Sequence, residues 1–229
     1  MNESIDGPSG VLSGRTILLA GGTSAAGLAV TEAARRAGAT VVVVGRDAEK
    51  LTDVVARTGA ETARCDLTDE SAVAELADDV HRRFGPIDGI LYLVGGWRGG
   101  GGLAGQSDED YRFLEQSVTA LRHVTRAFDQ DLRSSDAARL AIVSSTAVAR
   151  PLAGGANYAA VKAASEAWTR AVAQGFAKDA REREAPLRAA SVIFRVKALA
   201  GLENTLAAAF VDLWATDAAD LNDSVIDVA

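Results

Sequence analysis

The chain has 229 residues, 48% of them apolar, which suits one α/β domain with a substantial core. Its formal net charge of −7 gives no basic footprint for nucleic acid or an anionic membrane. One cysteine, Cys65, excludes an internal disulfide, and with only His81 and His123 beside it a structural zinc site has no ligand set; both histidines fall on predicted helices and read as surface residues.

The first ten residues carry no positive, apolar leader pattern and no later run reaches the length of a membrane span, so a cytoplasmic protein is expected, with residues 1–12 flexible. Residues 16–20 (TILLA) are a continuous apolar run, the pattern of a parallel strand covered on both faces. The run enters Gly21-Gly22-Thr23-Ser24-Ala25-Ala26-Gly27, and a helix over 26–37, a stop at Gly38 and a second strand over 40–44 follow. Strand, tight glycine turn, helix and strand are the context of a dinucleotide fingerprint. Gly21 allows the turn, Thr23 and Ser24 lie at the cofactor, Ala25 and Gly27 keep the backbone bare, and the helix N-terminus presents its amides to a pyrophosphate. Tight packing of strand on helix alone would ask for the same small residues.

Where an acidic residue at the end of the second strand would hold the ribose hydroxyls of NAD, the chain has Gly45 and then Arg46. A guanidinium there suits the 2′-phosphate of NADP, the plainer alternative being a solvated arginine. Asp47 caps a helix running to about residue 57, and 61–65 is a third strand leading to Asp66, which either accepts from an adenine amine or caps the turn at Thr68-Asp69. A helix over 70–83 carries Val73, Leu76 and Val80 on one face, and 90–94 is a fourth strand. The stretch 95–105 (GGWRGGGGLAG) is too glycine-rich to hold one conformation without a partner and is expected to be mobile. Gly95 and Gly96 would let backbone approach the cofactor, while Trp97 and Arg98 either reach a substrate or belong to a plain surface loop. One long helix over 108–132 follows, its apolar face being core or subunit contact.

Residues 140–143 form a strand that ends in Ser144 and Ser145, and an Ala-rich helix covers 156–178. Tyr158 and Lys162 are i and i+4 on that helix and share a face, which fits either a surface pair or a reaction centre. A phenol, with an ordinary pKa near ~10, is a poor proton donor at neutral pH unless a charge stabilises its phenolate. Lys162 is that charge, and Ser145 is placed to hydrogen-bond a substrate carbonyl. A sixth strand (189–194), a linker with Arg195 and Lys197, a helix (202–214) and a last strand (224–228) complete a chain that no repeat or linker divides, so 1–229 is read as one domain.

Together these residues resemble the short-chain dehydrogenase/reductase family over nearly the whole chain. The specific part is the Tyr158-xxx-Lys162 pair with Ser145 thirteen residues earlier; the 21–27 turn is similar to the family's TGxxxGxG motif, and Asp66 stands where its adenine-contacting aspartate lies. The resemblance implies a Rossmann-type, doubly wound parallel sheet of about seven strands and an NAD(P) cofactor, which Arg46 inclines to NADP(H). It also implies Tyr158 as acid/base, Lys162 on the nicotinamide ribose and Ser145 on the substrate carbonyl. Three positions depart from the pattern. Tyr92-Leu93-Val94-Gly95 replaces Asn-Asn-Ala-Gly, Ser117 replaces the helix asparagine that extends the proton relay through a water, and Phe194-Arg195 replaces the Pro-Gly that helps grip the nicotinamide. With a short lid segment, the site is expected to be unusually open or completed by another subunit.

The expected activity is NADPH-dependent reduction of a carbonyl, or its reverse. The alternatives are a member that binds nucleotide or a partner without turnover, and a non-redox epimerase. Ala159, Ala163, Ala167 and Ala171, with Trp168, give the Tyr158 helix an apolar excess that, with the resemblance, implies a homodimer or homotetramer.

Overall fold

A computed structural model describes residues 10–229. Most of the segment expected to be flexible lies outside them, but at its end Leu12 is buried and its N–H bonds the Ala37 carbonyl at 2.9 Å. The chain runs through β1 (Thr16–Ala20), α1 (Ala25–Arg36), β2 (Thr40–Gly45), α2 (Ala48–Thr58), β3 (Glu61–Arg64), α3 (Glu70–Phe84) and β4 (Gly89–Tyr92). It continues through α4 (Asp108–Ala127), α5 (Asp129–Ser134), β5 (Arg139–Ser145), α6 (Ala156–Glu182), β6 (Ala190–Val196), α7 (Glu203–Asp212), α8 (Ala218–Leu221) and β7 (Val225–Asp227).

Among the described residues the seven strands form one parallel sheet in the order β3-β2-β1-β4-β5-β6-β7. Successive side chains of β1 go to opposite cores. Ile17 and Leu19 join Val41, Val43 and Phe194 against α1 and α7, while Leu18 and Ala20 join Val42, Val44 and Ile142 against α3 and α4. This two-sided burial is why the strands read as unbroken apolar runs. The helices after β1, β2, β3 and β4 each begin on a side-chain cap, from Ser24, Asp47, Asp69 and Ser107. After β3 the chain returns across the sheet and β4 pairs with the free side of β1, so the strand order reverses there. A crevice opens at the carboxyl ends of β1 and β4. No described helix is long and apolar enough to cross a membrane.

Some boundaries differ from expectation, for local reasons. The helix over 108–132 is two helices broken at Phe128, a buried ring that meets the His81 ring edge-on at 5.8 Å. The break turns Asp131 inward, where it accepts from the Ile87 N–H and contacts His81 Nε2 at 2.8 Å. His81 is exposed, as expected, while bonding a buried carboxylate, and the half-buried His123 reaches the Leu67 carbonyl at 3.2 Å. β4 stops at Tyr92, α6 runs on to Glu182, and β6 extends to Val196 because Arg195 is held by α6.

Gly27 illustrates how tightly α1 is seated. A Cβ there would fall 2.0 Å from the Gly22 carbonyl oxygen, a backbone atom that cannot swing aside. Alanine would gain about 1 kcal/mol of helix propensity, against about 1–3 kcal/mol or more for overpacking. Gly27→Ala is expected to lower the urea unfolding midpoint; a midpoint equal to or above that of the parent would contradict this packing.

Candidate active site

The glycine turn is shaped by its contacts. Gly21 has φ +78°, and a Cβ there would come 2.8 Å from Val94 Cγ2, so no other residue fits without strain. The N–H groups of Gly21 and Gly22 both donate to the Val44 carbonyl, at 2.9 and 3.3 Å, which ties the turn to β2. Ser24 Oγ accepts from Gly27 N–H at 3.2 Å as the cap of α1. Beside this turn lies a cleft of about 410 Å³, lined by Gly21, Thr23, Ser24, Arg46, Asp66 and Gly95 among others. Ala25 and Gly27 are not part of its lining: the bareness of Gly27 serves the seating of α1 on Gly22.

Arg46 follows the buried Gly45 and is exposed at the cleft, making no ion pair within 4.0 Å among the described residues. Asp66 caps the turn, accepting from Thr68 N–H at 3.0 Å and Thr68 Oγ1 at 2.7 Å, and these bonds hold its carboxyl below the usual range. Both bonds fall on Oδ1. Of the two readings of Asp66, the cap is therefore formed, at the edge of the cleft. Cys65 lies buried beside it, and burial pushes its thiol up to about 11, so it is an inert wall.

The three residues singled out for chemistry stand beyond the cleft, past Gly95, where a Cβ would come 3.4 Å from Lys162 Nζ. Ser145 is the buried last residue of β5; its Oγ accepts from Ala147 N–H at 3.2 Å, which leaves its own proton to donate. Tyr158, partly buried, is in the first turn of α6. One turn on, Lys162 Nζ lies 5.9 Å from the centre of the Tyr158 ring and donates to the Val143 carbonyl at 2.8 Å, two residues before Ser145. Burial pulls the Lys162 ammonium down to about 8, and the charge of Glu166 works against that fall.

Ser117, on α4, lines the cleft, but its Oγ donates to the Leu114 carbonyl at 2.7 Å. Its own carbonyl receives the hydroxyl of Tyr92, whose phenol burial pushes up. Tyr92, standing where the family pattern has asparagine, thus ties β4 to α4.

Glu166 and Gln106 are structural features that sequence reasoning missed. Glu166, two turns after Tyr158 and buried, accepts from Ser144 Oγ at 2.7 Å and from Arg195 Nε and a second guanidinium nitrogen at 2.9 and 2.6 Å. Burial alone would raise its carboxyl; the bonds from Arg195 and Ser144 outweigh that and hold it low. A glutamate on the Tyr158 face of an Ala-rich helix and an arginine in an apolar strand were the signals. Gln106 corrects the expectation of a mobile loop. Its amide donates to the carbonyls of Gly100, Gly102 and Gly154, its oxygen accepts from Asn157 N–H at 3.1 Å, and Gly100 N–H bonds Gly154 at 2.7 Å. The glycine-rich stretch is thus laced to the segment just before Tyr158. Arg98 folds onto the Phe113 ring at 4.4 Å and toward Asp110 at 3.9 Å, leaving Trp97 66% exposed.

The family model for short chain dehydrogenase matches residues 15–180. The chain is 29% identical over 169 residues to a 3beta-hydroxysteroid dehydrogenase of Mediterraneibacter gnavus, covering 71% of this chain and 61% of that protein. It is 27% identical over 165 residues to a 2,3-dihydro-2,3-dihydroxybenzoate dehydrogenase of Bacillus subtilis, covering 69% and 63%. It thus spans less than two thirds of the length of either relative. Among solved structures, NAD+-bound xylitol dehydrogenase superposes with a TM-score of 0.82 at 18% identity, covering 95% of this chain and 98% of that one. At that identity the likeness concerns the fold alone.

The depressed Lys162 has a consequence for stability. Between about 8 in the folded chain and 10.5 in the unfolded one, the unfolded state holds the extra proton, so the contribution of this group to stability rises with pH across that window. Urea midpoints of the parent and Lys162→Met at pH 7 and pH 9.5 measure this. The parent should gain relative to the variant at the higher pH; a constant difference would place the lysine in solvent.

Proposed function

Because the chain belongs to the short-chain dehydrogenase family, we propose that it transfers hydride between NADP(H) and a carbonyl or alcohol substrate, with Tyr158 as the general acid and base. The observation that carries this reading is that Lys162 Nζ lies 5.9 Å from the Tyr158 ring and bonds the Val143 carbonyl, two residues before Ser145, beside a cleft lined by the glycine turn. The residues present fit the cofactor. Gly21 and Gly22 bring bare backbone to the start of α1, the wall offers Thr23 and Ser24, and the residue that ends β2 is Gly45, with the Asp47 carboxylate engaged as the cap of α2. Arg46, exposed at the cleft, supplies the charge for a 2′-phosphate, and this is why NADP is favoured over NAD.

The bound cofactor supplies the hydride. Ser145 donates a hydrogen bond to the substrate oxygen and Tyr158 gives that same oxygen its proton, so the carbonyl gains one hydride and one proton. Lys162, held on the Val143 carbonyl, presents its positive charge to the phenolate that Tyr158 becomes, and its neighbour Gly95 brings backbone to the ribose side.

We also propose a homodimer or homotetramer joined through α4 and α6. Ala159 is buried and Trp168 is turned inward, donating to Thr125 Oγ1 at 2.9 Å, so the outward face of α6 is narrower than the sequence suggests. Ala160, Ala163, Ala164, Ala167 and Ala171 form it. Light scattering at micromolar concentration tests this, and a monomer would overturn it.

Following NADPH oxidation over a panel of ketones, aldehydes and quinones tests the activity. With any substrate so found, Tyr158→Phe should lower kcat about 100-fold or more while NADPH still binds. Near-normal turnover in that variant would remove Tyr158 from its role. Arg46→Asp should weaken NADPH binding about tenfold or more and NADH far less. Equal losses for both cofactors would reject the preference.

A further inference from the structure

Where the family pattern places Pro-Gly, this chain has a fully buried Phe194 followed by Arg195, and the structure shows what the arginine does. Its guanidinium makes two bonds, of 2.9 and 2.6 Å, to the carboxylate of Glu166. Glu166 is 4% exposed. The same carboxylate takes the Ser144 hydroxyl at 2.7 Å, and Ser144 and Arg195 are paired directly across β5 and β6. One carboxylate therefore grips the ends of two adjacent strands.

Tyr158, Lys162 and Glu166 follow one another at i, i+4 and i+8, on a single face of α6. Lys162 holds the Val143 carbonyl and Glu166 holds the Ser144 hydroxyl, so successive turns of the helix grip successive residues of β5, and the next residue is Ser145. Resting on the reading of Tyr158, Lys162 and Ser145 given above, we infer that Glu166, clamped by Arg195, is a positioning residue: it fixes α6 along the ends of β5 and β6 and so sets Lys162 and Tyr158 opposite Ser145. The bidentate geometry suits the task, since a planar fork on a carboxylate fixes direction as well as distance. In this chain the side-chain clamp stands where the pattern relies on a backbone turn.

The test uses the full chain as parent, Arg195→Met, Arg195→Lys and the double variant Glu166→Met with Arg195→Met. The double variant leaves no unpaired buried charge and so is the form expected to fold as well as the parent. For a carbonyl substrate with NADPH, kcat in the double variant should fall about tenfold or more while the substrate KM changes less than about threefold, because the loss is one of alignment. Arg195→Lys keeps the charge beside Glu166 but not the planar fork, so it should recover only a minor part of the turnover that Arg195→Met loses. A double variant with kcat within about twofold of the parent, or an Arg195→Lys variant with near-parental turnover, would overturn the proposal. If the parent reduces no carbonyl with either cofactor, the reading of function fails, and crystal structures of the parent and the double variant decide the positioning separately. Lys162 Nζ moved off the Val143 carbonyl supports it, and Lys162 unmoved overturns it.

Discussion

A parallel sheet covered on both faces satisfies its backbone within itself and spends its side chains on two apolar cores, so polar chemistry is left to the strand ends. In this chain the decisive end is that of β5, where three kinds of polar contact join strand and helix: Lys162 to the Val143 carbonyl, Ser144 to Glu166, and Glu166 onward to Arg195 on β6. Tyr158 and Lys162 ride on α6 together, so any freedom of α6 to slide would carry both away from Ser145 at the end of β5. The cleft depends on the same edge from the other side, since Gly95 borders both the cleft and the lysine.

The fold was legible because its main signals are local. Apolar runs such as TILLA and VVVV mark strands with no polar face. Asp47 marks a helix start, and Gly38 sits just past a helix end with positive φ. What misled was tertiary. Nothing within 108–132 says that the helix will break at Phe128, or that Asp131 will serve the Ile87 amide 44 residues away. Likewise β6 reads as ending before Arg195, since a charge inside an apolar strand makes sense only once its buried partner is known.

For the site, spacing along a single helix made Tyr158 and Lys162 readable, and the strand–turn–helix order did the same for Gly21 and Ser24. Arg46 was readable as the residue after a strand. The connections that support them were not, because Gln106 to Gly154 and Glu166 to Arg195 are pairings across long sequence distances with no periodic signature. The glycine-rich stretch is the instructive case. Its composition speaks for conformational freedom, yet one carboxamide shares its two N–H groups among three carbonyls, accepts one N–H and draws the loop against the start of α6.

The energetics of the Glu166–Arg195 pair bear on what the departures from the family pattern mean. Taking two charges out of water costs about as much as their attraction returns, and well-packed apolar residues commonly hold a core together as well or better. As a source of stability the pair is thus a poor choice, and its worth lies in the directions it fixes. It fixes them between the ends of β5, β6 and α6, where small displacements matter most to a reaction that needs an oxygen held between two donors. A chain that had merely lost the Pro-Gly turn would leave that strand end slack. Here it ends in a bidentate bond to the helix that carries Tyr158 and Lys162, so the strand end is held by a side chain where the turn is missing.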